Sequence, residues 1–156
     1  MFNEQAFIHR AVEAAKEVCN LMKQENEISD YEIVIVDDAS TDSTGTIADG
    51  LARQDQRIKV MHNPVNRRLG GTLKAGFSAA SKDIILYSDA DLPFDMMELR
   101  KAYRIMRNYK ADIVSAYRHD RTGEGPRRAL YSYIYNFLIR TPVSYTHLTL
   151  PTKRIV

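Results

Sequence analysis

The stretch Tyr31-Glu32-Ile33-Val34-Ile35-Val36, running directly into Asp37-Asp38, restricts this chain more than any other segment. A nearly unbroken β-branched run reads as a strand buried on both faces, which is the habit of parallel sheets covered by helices. The sequence around it alternates as such a sheet requires. From Gln5 to Met22 the apolar positions Ile8, Val12, Ala15, Cys19 and Met22 recur at three- and four-residue spacing and mark one face of a helix. Asp42 or Ser43 caps a short helix with Ile47 and Leu51 inward, and a strand over Ile58–Met61 follows. Gly70-Gly71 opens a helix through Leu73, Phe77 and Ala80. Asp83 to Ser88 then supplies a strand around Ile84-Ile85-Leu86. Asp95 with Glu98 forms a capping box for a helix reaching Asn108, with Leu99, Ala102, Tyr103 and Met106 inward. Ile113-Val114 reads as a fourth strand and Arg127 to Arg140 as a last helix. Strand and helix alternate throughout, so the expected class is an α/β layered domain with a mostly parallel sheet.

Length and composition agree with one such domain. The chain has 156 residues, 44% apolar and 27% charged, which excludes disordered and collagen-like classes. Cys19 is its one cysteine, so an internal disulfide is impossible, and neither cysteines nor the four histidines show zinc-ligand spacing. A reducing cytosol is the default compartment for such a chain. No run of eighteen apolar residues exists to cross a bilayer, and no secretory signal pattern is present. Charge is unevenly placed. Residues 1–100 carry 11 Lys+Arg against 17 Asp+Glu, whereas 101–156 carry 11 against 3. An acidic half suited to a metal thus precedes a basic segment suited to phosphate or an anionic membrane surface, although solvated helix faces give the same imbalance.

Ligands of open α/β sheets sit beyond the carboxyl ends of the strands. Three polar segments fall there: Asp37-Asp38, Ser88-Asp89-Ala90-Asp91 and Ala116-Tyr117-Arg118. Asp89 and Asp91, two apart in an extended chain, project to one side, and two hard oxygen donors suit magnesium or manganese completed by water and phosphate. A pair of turn-forming aspartates ahead of Leu92-Pro93 is the plainer alternative. At the earlier strand end, a carboxylate of Asp37-Asp38 can accept from nucleobase N–H or ribose hydroxyl groups. Asp42 reads better as a cap.

Taken together, Phe2-Asn3-Glu4, the Ile-Val-Asp-Asp-Ala-Ser-Thr-Asp of 35–42, Asn66 through Gly76, and the Ser-Asp-Ala-Asp-Leu of 88–92 resemble the inverting family 2 glycosyltransferases of the GT-A, Rossmann-like fold. Within that family the chain looks most like the dolichyl- or polyprenyl-phosphate sugar synthases. Ser115-Ala116-Tyr117-Arg118 stands where they carry a Gly-Ser-Arg element, and Arg128, Ser132 and Asn136 follow at four-residue spacing. The resemblance implies that Phe2, Asn3, Glu4, Asp37 and Asp38 serve the nucleotide-sugar, with Asp38 on the base. It gives Asp89 and Asp91 to the metal and diphosphate, and Arg118, Arg128 and Ser132 to the phosphate of the lipid acceptor. It further implies Mg2+ or Mn2+, a GDP- or UDP-sugar donor, a polyprenyl or dolichyl phosphate acceptor, no nucleic acid partner, and a place at the cytoplasmic face of a membrane for a longer parent. Arg68 stands at a position usually glycine in this family, so the loop before Gly70 is expected to follow another path, and Pro93 replaces a glutamine common in the mannose synthases.

Both ends bear on the domain boundaries. In the family the Phe2-Asn3-Glu4 motif follows a central parallel strand, so that first strand is expected to be missing here. The segment from Pro142 to Val156 lacks periodicity, and Val143-Ser144-Tyr145-Thr146-His147-Leu148 resembles a translated sequencing adapter. The expected division is therefore a partial glycosyltransferase domain over 1–141 and a non-native tail over 142–156. Two rival readings remain at this point: a receiver-like magnesium-binding signalling domain, and a glycosyltransferase fragment without catalytic activity.

Overall fold

The computed structural model describes residues 1–92 and 94–116. Pro93, Arg118, Arg128, Ser132, the helix expected over 127–140 and the tail over 142–156 lie outside the described residues.

Among the described residues six elements follow in order: α1 (Ile8–Gln24), β1 (Ile33–Asp37), α2 (Thr44–Gln54), β2 (Ile58–His62), α3 (Arg68–Ala79) and α4 (Glu98–Tyr109). The two strands pair in parallel, Ile33 opposite Ile58 through Asp37 opposite His62. Successive side chains of β1 face opposite ways. Ile35, 1% exposed, points into a cluster with Ile8 and Val12 of α1, Ala48 and Leu51 of α2, and Ile58 of β2. Val36 points to the other face, where Gly76 of α3 lies so close that an added Cβ would stand 3.3 Å from Val36 Cγ2. The result is three layers: α1 and α2, then the parallel pair, then α3. The α/β class expected from the alternation is the one found.

A second cluster joins α1 to the segment leading into α4. Val18 and Met22 pack with Met96, and Leu92, Phe94, Leu99 and Tyr103 border them. Charge reinforces this junction. Arg100 and Arg104 both bind the Glu27 carboxylate, Arg100 also reaches Glu25, and the Tyr103 hydroxyl donates to the Glu27 carbonyl at 2.8 Å. Hydrogen bonds from Arg100 and then Arg104 lower the Glu27 pKa to about 2. A depressed carboxylate stabilises the fold above its ordinary titration range, and that contribution is lost as pH falls toward the folded value. Glu27→Gln is therefore expected to lower stability near neutrality and to flatten the profile between about pH 4.5 and pH 2, so that the two proteins converge in acid, as read by denaturant midpoints across that range.

Four expectations need correction. Asp83–Ser88 forms no strand, and Ile84, Ile85, Leu86 and Tyr87 are each about half exposed. A strand exists through its ladder, and among the described residues nothing pairs with this segment, so apolar content alone does not make it one. Ile113-Val114 is likewise no strand, with Ile113 83% exposed. The capping box does not form either: the Asp95 side chain accepts from the Met97 N–H at 2.9 Å in a local turn, and no side chain caps α4. Finally, α3 begins at Arg68 rather than at the glycine pair, and Phe77 lies on its exposed side because close packing on Val36 belongs to Gly76.

Candidate nucleotide-sugar site

The carboxyl ends of β1 and β2 lie side by side, and the polar residues that follow them are tied to the amino-terminal segment. Met1 runs along the edge of β1 not used by β2. Its amino group donates to the Val36 carbonyl and its carbonyl accepts from the Asp38 N–H, both at 2.7 Å. Asn3 then clamps the loop after β1: its N–H donates to Ser40 Oγ at 3.0 Å, its Oδ1 accepts the Thr41 N–H at 2.9 Å, and its amide reaches Thr41 Oγ1. The Glu4 N–H donates to Thr44 Oγ1 at 2.8 Å, and Thr44 is fully buried. Asp42 accepts from both the N–H and the hydroxyl of Thr44 in an Asx turn just ahead of α2, whose N-cap is Ser43 and which no side chain caps, so the expected Asp42 or Ser43 cap does not form. Phe2, 46% exposed, and the partly exposed Glu4 side chain border this loop.

Asp37 and Asp38 are both buried, at 5% and 4% exposure, yet they serve different neighbours. Asp37 accepts the Ser40 N–H at 3.0 Å and meets His62 Nδ1 at 2.9 Å. Asp38 accepts from the Asn63 amide at 2.7 Å and the Arg67 N–H at 2.8 Å, which fastens the loop after β2 to the end of β1. Burial pushes both carboxyl groups up, but these donors outweigh it and hold each below the usual carboxylate range. Thr72 Oγ1 on α3 is the one buried side-chain polar atom without a partner among the described residues.

Three of the non-glycine residues with left-handed backbone lie in these loops: Asn3, Ala39 and Arg68, at φ of 57°, 60° and 57°. Such conformations cost about 1 kcal/mol or more each and persist where surroundings over-determine them. Arg68 thus takes up for itself the backbone that glycine favours, supported by Asn66 Oδ1 accepting its N–H at 3.0 Å.

Asp89 and Asp91 are both exposed and flank the buried Ala90. Their spacing comes from a turn rather than from an extended strand, since the Leu92 N–H donates back to the Asp89 carbonyl at 3.3 Å. Leu92 anchors that turn against the α1 cluster. The Tyr87 hydroxyl donates to Asp89 Oδ1 at 2.5 Å, and burial together with that bond raises the phenol pKa to about 12, so it remains a donor. Among the described residues no three His, Cys, Asp or Glu side chains gather as a ready-made metal cage. Two accessible carboxylates instead fit an oxygen-preferring cation that keeps most of its shell for water and phosphate.

Sequence reasoning assigns no site role to His62, which it reads as a strand-end or loop histidine, nor to Asn63 and Ser40. The signal available was the parallel register, which sets His62 beside Asp37 once the two strands are paired.

Glycosyl transferase family 2 matches residues 1–153. Glycosyltransferase AglD of Haloferax volcanii is 36% identical over 113 residues, covering 70% of this chain and 18% of that protein. An undecaprenyl-phosphate mannosyltransferase of Micrococcus luteus is 32% identical over 90 residues, 56% of this chain and 36% of its own length. An undecaprenyl-phosphate 4-deoxy-4-formamido-L-arabinose transferase of Serratia proteamaculans is 28% identical over 142 residues, 90% of this chain and 41% of its own. The chain spans less than half the length of each of these relatives.

Proposed function

Because the chain belongs to glycosyl transferase family 2, we propose that it forms the donor-binding part of an inverting glycosyltransferase that moves a sugar from a nucleoside diphosphate to a polyprenyl phosphate. The observation that carries this reading is the binding of Phe2-Asn3-Glu4, Asp37-Asp38 and the loop after β2 into one hydrogen-bonded floor at the carboxyl end of the sheet. Relatives whose names specify undecaprenyl-phosphate transfer support the acceptor class.

In this reading Phe2, Glu4 and Asp38 line the nucleotide pocket, while Asn3 and Asp37 shape it. Asp89 and Asp91 hold Mg2+ or Mn2+, which when bound supplies positive charge against the departing diphosphate. Tyr87 keeps the Asp89 carboxylate oriented toward that task. Arg118, Arg128 and Ser132 take the acceptor phosphate, for which a planar guanidinium fork is well matched. A lipid phosphate is already an anionic nucleophile near neutrality, so no strong general base is required. A lipid acceptor calls for a membrane surface, and we propose its cytoplasmic face.

Titration calorimetry with uridine and guanosine diphosphates tests the donor reading. One nucleotide is expected to bind saturably with Mn2+ and about tenfold or more weakly after chelation, since its diphosphate then meets two unneutralised carboxylates. Absence of binding by either nucleotide, with or without the cation, would overturn it.

A further inference from the structure

We infer that His62 is a positioning residue for the donor pocket: clamped between Asp37 and Asp49, it fixes the 37–41 turn and, through it, the hold on Asn3. This inference rests on reading the carboxyl end of the sheet as the nucleotide-sugar pocket.

His62 ends β2 with its ring between two carboxylates. Nδ1 lies 2.9 Å from Asp37 Oδ2 of β1, and Nε2 lies 3.1 Å from Asp49 Oδ1 of α2. A neutral imidazole has one N–H, so only the imidazolium satisfies both partners. Backbone space has been cleared for the pairing. A Cβ added at Gly45 of α2 would stand 2.9 Å from Asp37 Oδ2 and 3.3 Å from His62 Cε1. From Asp37 the chain of bonds continues outward: Oδ1 accepts the Ser40 N–H, Ser40 Oγ accepts the Asn3 N–H, and the Thr41 N–H donates back to Asn3. Ala39, at φ 60°, is held in its left-handed backbone inside this loop. Without the clamp the Asp37 carboxylate is free to rotate, and the turn loses the acceptor that shapes it.

Charge works in the same direction. Hydrogen bonds from Asp37 and then Asp49 hold the His62 pKa above its ordinary value, against a smaller opposing effect of burial. A raised histidine pKa means that the clamp is complete below the unfolded value and is lost as pH rises through the folded one. Asp37 from β1 and Asp49 from α2 are the charged groups facing the ring.

Amide hydrogen exchange on the 156-residue chain separates this role from simple packing. In His62→Leu, protection at Ser40 and Thr41 is expected to fall about tenfold relative to Ile35, as for loss of a hydrogen bond to a charged group. His62→Gln, whose amide can still donate to Asp37, is expected to stay within about twofold of the original. Should His62→Leu not fold, Gly45→Ala provides the second variant, because its methyl group intrudes on the same contact and is expected to loosen the same two amides. Unchanged protection in His62→Leu, or equal losses in the Leu and Gln variants, would overturn the positioning role. Failure of the unaltered chain to bind either uridine or guanosine diphosphate would instead overturn the donor reading, with the exchange data still deciding His62.

Discussion

Asp91→Asn is expected to lower metal-dependent sugar transfer about a hundredfold or more while leaving thermal stability unchanged, on the scale seen when one electrostatic partner of a developing anion is removed. The two halves of that expectation have separate causes. Asp91 sits exposed in the Asp89–Leu92 turn, and among the described residues its side chain accepts no hydrogen bond, so the isosteric amide removes no folded-state contact. Exposed substitutions of this sort generally change stability by about 0.5 kcal/mol or less. In the proposed metal site its carboxylate is one of two hard anionic donors, and an amide oxygen is a far weaker partner for a divalent cation.

Asp89→Asn should cause the same loss and one further change, because Asp89 also orients the Tyr87 hydroxyl. Tyr87→Phe keeps both carboxylates and removes that donor, so a smaller loss is expected. The ordering Asp91→Asn and Asp89→Asn well below Tyr87→Phe, measured as turnover with saturating Mn2+, follows from the two-carboxylate site. Unaltered turnover in the asparagine variants would refute the metal assignment.

The sequence made some parts of this molecule legible and concealed others, for physical reasons that can be named. Helix α1 and strands β1 and β2 were readable because their apolar periodicity is the direct imprint of burial, and Ile8, Val12 and Ile35 lie where that periodicity puts them. Ile84-Ile85-Leu86 carries equal apolar content and forms no strand, since pairing depends on a neighbouring ladder that local sequence does not encode. Within the candidate site, motif spacing located Asp37, Asp38, Asp89 and Asp91 but said nothing of their individual bonds. Asp37 and Asp38 are adjacent and chemically identical, yet one binds the turn after β1 and the other binds the loop after β2. That division arises from the alternation of a strand end, which turns neighbouring side chains to opposite faces. His62 was legible only as a strand-end or loop histidine, because its two partners, Asp37 and Asp49, come from separate elements that only tertiary structure assembles.

Asp38→Ala is expected to produce the largest combined loss, in both stability and donor affinity. Its carboxylate is 4% exposed and accepts from the Asn63 amide and the Arg67 N–H. Truncation strands the buried Asn63 amide, at a cost of about 1–3 kcal/mol, and removes the acceptor of the partly buried Arg67 N–H. The Arg67 N–H stands just ahead of α3, and Arg68 beside it holds a left-handed backbone at φ 57° that needs such anchoring. Release of Arg67 therefore permits the 63–68 loop to relax and α3 to fray at its first turn. Asp38→Asn distinguishes structural from ligand-binding roles. Its amide oxygen can still accept from both donors, so most stability should return, whereas its altered charge should leave nucleotide affinity about tenfold down, as expected when a charge-assisted bond becomes neutral. Denaturant midpoints and nucleoside diphosphate titrations on the two variants measure these effects independently. Full recovery of affinity together with stability in Asp38→Asn would show that Asp38 acts only on the loop and does not touch the base.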